Sequence, residues 1–283
     1  MRILLARRHA VLFALASLGL TTPALAQDKT AKIGVLNDMS SLYADIGGPN
    51  SVAAVKMAVE DSGLPAKGWK IDVLSSDHQN KPDIGVNISR QWIDVDKVDA
   101  VVDTPTSSVA LAVSNLVKEK NAILINSGGA SADITGKACT PNTLSVTYDT
   151  YMLANGTGKA LTKAGGDSWF FLTADYAFGH ALERDTAATV TASGGKVLGG
   201  VKHPLNTADF SSFLLQAQAS KARSSALPTR AATLPTRSSR PLNSALSKVA
   251  RSLPHCCCSS PTCTRSGLGP RKASPSPNPS TGT

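Results

Sequence analysis

Short apolar runs alternate with amphipathic stretches between residues 27 and 222. The first run, Lys32–Leu36, is followed by Asn50–Ser62, where apolar positions recur at helical spacing. The later predicted strands are 71–75, 100–102, 122–125, 143–146, 169–173 and 196–201, and the later predicted helices are 81–94, 107–118, 151–164, 178–192 and 209–219. This alternation predicts an α/β fold in which parallel strands are covered by helices on both faces.

The pattern restarts near Tyr148, which predicts two lobes. We expect an N-terminal α/β ligand-binding lobe at residues 27–147 and a partial second α/β lobe at residues 148–222. The second lobe stops after about two of its strands, so its sheet is incomplete and keeps an exposed edge.

Residues 1–26 have the features of a signal peptide. Arg2, Arg7 and Arg8 form a basic start, residues 10–20 are an apolar run too short to span a bilayer, and Ala24-Leu25-Ala26 is a typical cleavage site. We expect cleavage near Ala26 and a mature protein that begins near Gln27 outside the cytoplasm.

Residues 223–283 differ sharply in amino-acid composition from the rest of the chain. All 20 acidic residues lie at or before Asp209, whereas this tail carries nine of the 29 basic residues, nine of the 16 prolines and four of the five cysteines. It has no aromatic residue and no sustained hydrophobic period, which predicts disorder. Ser, Pro, Arg, Ala and Thr dominate it, as in GC-rich codons read out of frame, so a frameshift is one hypothesis for its origin.

The tail's chemistry does not favour a nucleic-acid partner or a metal. Its basic residues are scattered without aromatic residues for stacking, and the export signal separates the chain from most nucleic acid. His255 and Cys256–Cys258 are adjacent rather than spaced as in structural zinc sites. We therefore expect neither a metal nor a cofactor.

Loops at the carboxyl ends of parallel strands are where open α/β sheets bind ligands. Three such loops are rich in hydroxyl groups and small side chains: Ser40, Ser41 and Tyr43 in the first, Thr106, Ser107 and Ser108 in the second, and Ser127, Gly129, Ala130 and Ser131 in the third. Hydroxyl groups and free helix N–H groups bind a carboxylate without any basic side chain. Helix capping and turn formation are the local alternatives.

Four further residues are candidates for the same site. Asp38 follows the first strand and could pair with a ligand amine or cap its own loop. Tyr148, Tyr176 and Phe178 lie near the lobe junction, where aromatic rings could cover a ligand or pack between the lobes. No catalytic motif occurs among these residues, so we expect a binding protein rather than an enzyme.

The chain resembles the periplasmic substrate-binding proteins of ABC transporters, of the branched-chain amino-acid type. The resemblance covers roughly residues 30–222, and its carrying segments are Ile33–Tyr43, Asp77–Asp83, Asn126–Lys137, Tyr148–Thr150 and Asp175–Gly179. It implies a two-lobed type I periplasmic-binding-protein fold that closes over its ligand without catalysis. It also implies that Thr106–Ser108 and Gly129–Ser131 hold the ligand carboxylate, while Tyr176–Phe178 faces the ligand from the second lobe.

The resulting functional hypothesis is capture of an amino acid or a related organic or aromatic acid for the membrane permease of an ABC importer. A ligand-sensing receptor subunit with the same lobes, an exported flavodoxin-like enzyme and a truncated product without function are the alternatives. The chain departs from the resemblance after Ala222, where the family's remaining strands are missing.

Overall fold

The computed structural model describes residues 29–226, and two parallel sheets organise them. The first sheet has the strand order β2-β1-β3-β4-β5. Its strands are β1 (Thr30–Asn37), β2 (Lys70–Asp77), β3 (Ala100–Asp103), β4 (Ile123–Asn126) and β5 (Thr143–Ser145), and its helices are α1 (Gly48–Asp61), α2 (Pro82–Gln91) and α3 (Ser107–Lys120). Every neighbouring pair of strands is parallel, so all five carboxyl ends lie at one edge of the sheet.

The second sheet has the strand order β7-β6-β8, also all parallel. Its strands are β6 (Ser168–Ala174), β7 (Lys196–His203) and β8 (Ser224–Ala226), and its helices are α4 (Thr150–Leu153), α5 (Lys159–Lys163), α6 (Ala177–Ala192) and α7 (Ser211–Ala219). A π-helical segment, Ala154–Gly158, joins α4 to α5. The central strand β6 is almost wholly buried, as its apolar sequence requires.

The main core of the first sheet lies between its strands and the helices α2 and α3. Leu36, Val101 and Leu124 point from β1, β3 and β4 into a cluster with Val113 of α3 and Trp92, and all are buried. The alternating apolar residues of the short strands and the apolar stripe of α3 both contribute side chains to this core.

The predicted fold class, an α/β protein with parallel sheets and flanking helices, is confirmed. Two helices are less regular than predicted: residues 81–94 become α2 followed by a π-helical turn at Trp92–Asp96, and residues 151–164 become three short segments. The lobe bounds 27–147 and 148–222 stay predictions.

One prediction for the tail is wrong. Disorder was expected from residue 223, yet Ser224–Ala226 form the buried strand β8, because their backbone pairs with Trp169–Phe171 of β6. The sequence signal failed here because two serines carry no apolar pattern. The predicted signal peptide and residues 227–283 lie outside the described residues. Within residues 29–226, no helix has the length and apolar character needed to cross a bilayer.

Gly34 of β1 provides a test of the core packing. A Cβ atom at this position would lie 2.4 Å from Cε3 of Trp92, which is buried at the centre of the cluster. We expect Gly34→Ala to lower the free energy of unfolding by about 1–3 kcal/mol through overpacking. Gly156→Ala is the matched control, because a Cβ there meets no atom within 4 Å. Urea denaturation followed by circular dichroism measures both, and equal stability of the two variants would contradict the packing described.

Candidate functional site

Buried polar side chains end three neighbouring strands of the first sheet. The Asn37 side-chain amide donates to Asp103, whose other carboxylate oxygen accepts the Ser127 hydroxyl at 2.8 Å. The Asn126 amide oxygen accepts from the Gly129 N–H at 2.8 Å, and its nitrogen donates to the Gly129 carbonyl at 2.6 Å. This network fixes the loops that leave the sheet, so the candidate site rests on a rigid edge.

The first loop is organised by Asp38. Its buried carboxylate accepts the N–H and hydroxyl of Ser41 at 2.9 and 2.6 Å and the N–H of Tyr43 at 2.8 Å. Of the two roles considered from sequence, the structure places this side chain in the loop cap. The Ser40 hydroxyl donates to Asp77 of β2, so the predicted residues Ser40 and Ser41 both direct their hydroxyl groups toward carboxylates of the protein.

The second loop leads into the N-terminus of α3. Asp103 and Thr104 adopt left-handed backbone conformations with φ of 85° and 63°, which is costly for residues other than glycine. The Thr106 hydroxyl donates to the Asn80 side chain at 2.6 Å. The buried Ser107 hydroxyl accepts the N–H groups of Ala130 and Ser131, both at 3.1 Å, so it ties the second loop to the third.

The third loop, after β4, packs closely against its neighbours. Cβ atoms built at Gly128 and Gly129 would lie 2.5 Å from the Pro105 backbone and 2.6 Å from Ala110, respectively. The buried Ser131 hydroxyl accepts the Asp133 N–H at 3.2 Å. The glycines predicted as part of a ligand cradle thus let the third loop pack against the second loop and α3.

Aromatic residues join the two sheets at this edge. The hydroxyl groups of Tyr43, from the first loop, and Tyr176, from the end of β6, are 3.0 Å apart. Tyr43, Tyr176, Phe178 and Ala130 belong to one buried cluster, and Tyr148 is partly buried against it. The structure therefore brings together residues that lie up to about 135 positions apart in sequence, with Leu42, Leu153 and Leu205 as further members that sequence reasoning missed.

The N-termini of α3 and α6 also meet there. The Ala177 N–H, at the start of α6, donates to the Ser108 hydroxyl near the start of α3 at 3.4 Å. Neither helix has an acidic residue in its first turn. Because the N-terminus of a helix carries partial positive charge, two such ends at one place favour an anion between them.

The hydrogen bonds divide the predicted hydroxyl groups into two sets. Ser40, Ser41, Thr106 and Ser127 donate their O–H to acceptors within the protein. Ser107, Ser108 and Ser131 instead accept backbone N–H groups. A hydroxyl that accepts still has a hydrogen to donate, so this second set has the chemistry to bind an anion.

Two charged contacts near the site were not anticipated from sequence. Asp133, from the loop after β4, forms an ion pair of 2.9 Å with Arg184 of α6, and the Thr150 hydroxyl donates to Asp185 at 2.5 Å. Burial raises the pKa of Asp133, but hydrogen bonds from Arg184 and Lys137 outweigh it and hold that pKa below its usual value. These residues are far apart in sequence, so only the fold reveals the pairing.

His78 lies beneath the first loop and is fully buried. Burial lowers its pKa, although the carboxylates of Asp38, Asp77 and Asp103 act in the opposite direction. Its Nδ1 accepts the Asn80 N–H at 2.9 Å, as a neutral ring does. His78 therefore supports the Asn80 turn that positions Thr106.

Residues 30–234 match the family of periplasmic binding proteins, and the chain belongs to this family. A periplasmic binding protein from Burkholderia mallei is 50% identical, with a TM-score of 0.69, over 71% of this chain and 54% of that one. A branched chain amino acid ABC transporter periplasmic ligand-binding protein from Burkholderia xenovorans is 38% identical, with a TM-score of 0.59, over 70% of this chain and 53% of that one.

A solute binding protein of an ABC transporter from Rhodopseudomonas palustris, solved with 3,4-dihydroxy benzoic acid, shares the fold at 24% identity, with a TM-score of 0.63 over 70% of this chain and 54% of that one. No curated protein matches the chain. The chain thus spans about half the length of the solved relatives it matches.

Proposed function

We propose that the protein is a periplasmic solute-binding protein that captures a small carboxylate-bearing ligand for an ABC importer. The observation that carries this proposal is the meeting of the α3 and α6 N-termini, contributed by different sheets, at the contact between Ser108 and Ala177. Ser107, Ser108 and Ser131 supply hydroxyl donors at the same place. An amino acid or an aromatic acid offers the single anionic group that this arrangement fits.

The remaining predicted residues support the proposal in different roles. An aromatic surface between the sheets, against which a ligand can pack, is formed by Tyr43, Tyr148, Tyr176 and Phe178. The loops are shaped by the hydrogen bonds of Asp38, Ser40, Ser41, Thr106 and Ser127. Gly129 lets the third loop pack against Ala110, and Ala130 belongs to the aromatic cluster. In this proposal the protein performs no catalysis, is exported by a signal peptide cut near Ala26, and delivers its ligand to a membrane permease.

The identities of the relatives favour transport over the alternatives. The relative at 38% identity is a branched chain amino acid ABC transporter periplasmic ligand-binding protein. A receptor subunit with the same lobes would present its ligand to a sensor in the membrane instead. Genes for a permease and an ATPase beside this one would favour transport, and a kinase or chemoreceptor gene would favour sensing.

Matched pairs of ligands test the carboxylate requirement. We expect millimolar leucine, valine or benzoate to raise the melting temperature of the purified protein, whereas leucinamide, valinamide and benzamide should leave it unchanged. A ligand present at 100 times its Kd stabilises the folded state by about 2.7 kcal/mol, which corresponds to roughly 5–10 °C for a chain of this size.

The pairs share shape and apolar surface and differ in charge. Equal stabilisation by acids and amides would contradict binding at the helix N-termini. Absence of stabilisation by every acid in a panel of amino acids and aromatic acids would count against solute binding by this chain.

A further inference from the structure

One face of the first sheet carries an apolar surface that no described residue covers. Ile123, Ile125 and Leu144 are 44%, 36% and 55% exposed, and the register places Ile125 beside Leu144 on the same face. On the opposite face, Val101 and Leu124 are fully buried under α2 and α3. The helix α1 packs mainly against β1 and β2. Parallel sheets are normally covered on both faces, so this surface, the β4–β5 face, has the apolar character of a surface that a further polypeptide segment covers.

Strand β8 shows a second mismatch between sequence and environment. Ser224 and Ser225 are only 6% and 8% exposed, beside Trp169 and Phe170 of the central strand. Strands of a parallel sheet that are buried on both faces are normally continuous apolar runs. The backbone of β8 thus pairs with β6 as a strand, whereas Ser224 and Ser225 are not the apolar residues that a buried strand normally carries.

The composition from Arg223 onward has a pattern that the genetic code explains. Of these 61 residues, 49 are Ser, Pro, Thr, Ala, Arg, Gly or Cys, whose codons all have guanine or cytosine in the middle. Asp, Glu, Gln, Phe, Tyr, Ile and Met, whose codons have adenine or thymine in the middle, are absent. Reading a GC-rich gene one base late turns its third codon base into the middle base, so this composition is what such a shift produces.

Reading the same bases one position earlier would restore apolar runs like those in residues 27–222. The first base of each tail codon then becomes a middle base, and a middle thymine encodes only Phe, Leu, Ile, Met or Val. Most serine codons and all cysteine codons begin with thymine. Cys256–Cys258 therefore become three apolar residues whichever codons encode them. Where their codons begin with thymine, Ser224 and Ser225 become two apolar residues within β8, and Ser259 and Ser260 extend the second run to five.

The spacing of these runs matches that of the strands. Strands β6, β7 and β8 begin 28 residues apart, at Ser168, Lys196 and Ser224, and the decoded run begins 32 residues later, at Cys256. A short apolar run at this interval indicates another strand-helix unit. The cluster of cysteines then reflects successive thymine-led codons rather than a metal site.

We propose that the chain from about Arg223 is read one base out of register, that the neighbouring frame encodes further α/β units, and that this encoded segment covers the β4–β5 face. The two solved relatives from Burkholderia, of which this chain covers 54% and 53%, have length for such a segment. The proposal does not depend on which ligand is bound, or on whether one is bound.

The nucleotide sequence gives the first test. We expect a one-base insertion near codon 223 to open a frame that encodes apolar residues at positions 224–225 and 256–260 and continues without a stop to about the length of the relatives. A stop codon before position 256 in that frame, or polar residues at these positions, would overturn the proposal.

Expression of both forms tests the covering of the β4–β5 face. We expect Ile125→Lys to lower the melting temperature by about 5 °C or more in the frame-restored chain, since a buried lysine is costly, but by less than about 2 °C in the 283-residue chain. Val95→Lys is the control, because Val95 is 62% exposed and lies away from this face. An equal effect of Ile125→Lys in the two chains would show that the encoded segment packs elsewhere and would overturn that part of the proposal. Ligand binding enters neither test, so failure here is distinct from failure of the proposed function.

Discussion

Asp38→Ala is expected to lower the free energy of unfolding by about 2–4 kcal/mol. The carboxylate accepts the N–H groups of Ser41 and Tyr43 as well as the Ser41 hydroxyl, and the side chain is fully buried. Alanine would leave at least two backbone donors without an acceptor, at about 1–3 kcal/mol for each buried group. Urea denaturation of the mature protein, monitored by tryptophan fluorescence, measures the loss.

Asp45→Ala is the matched control for this prediction. Asp45 lies in the same loop but is exposed, so its removal should change stability by less than about 0.5 kcal/mol. Asp38→Asn should be intermediate, because an amide oxygen still accepts one N–H while the other accepting oxygen is lost. Full stability of Asp38→Ala would mean that the loop holds its shape without the cap, and Asp38 would return as a candidate partner for a ligand amine.

The sheets were predictable because each short strand carries its own signal. Runs such as Lys32–Leu36 and Ala100–Val102 are apolar, short and followed by helical spacing, and each lies within an observed strand. Helix irregularities were not predictable in the same way. The π-helical turn at Trp92–Asp96 has the same apolar spacing as the helix before it, and tertiary packing of Trp92 decides its geometry.

The location of the site could be predicted from the sequence, but the hydrogen bonds within it could not. The rule that ligands bind at the carboxyl ends of parallel strands identifies the three loops. It does not distinguish Ser127, which donates to Asp103, from Ser131, which accepts a backbone N–H. That difference depends on pairs such as Ser107 with Ala130, which are distant along the chain, and sequence alone contains no record of their approach.

The polar residues that end the strands show what the sequence reading overlooked. Asn37, Asp103 and Asn126 each follow an apolar run directly, and all three are buried. A buried polar residue needs hydrogen-bond partners, so a polar residue recurring at successive strand ends indicates a network across the sheet edge. This signal was present in the sequence, and it identifies the framework beneath the site rather than the site itself.

Ser108→Ala is expected to weaken ligand binding roughly tenfold to hundredfold in the frame-restored protein. The Ser108 hydroxyl lies at the contact between the α3 and α6 N-termini and accepts from Ala177, so its hydrogen is available to a ligand carboxylate. Loss of a hydrogen bond to a charged group is worth about 1.5–3 kcal/mol. Ser131→Ala should have a similar effect, because its hydroxyl also accepts a backbone N–H. Isothermal titration with the best acid from the ligand panel measures both variants.

Three controls separate binding from folding. Asp83→Asn alters an exposed helix position and should leave the affinity unchanged. Melting temperatures of the ligand-free variants show whether the loops still fold, which matters most for Ser131 because its hydroxyl caps the Asp133 N–H. Ser108→Thr keeps the hydroxyl and should recover part of the affinity. If Ser108→Ala and Ser131→Ala both bind the acid as tightly as the parent, the carboxylate lies elsewhere, and the meeting of the two helix N-termini has another role in this fold.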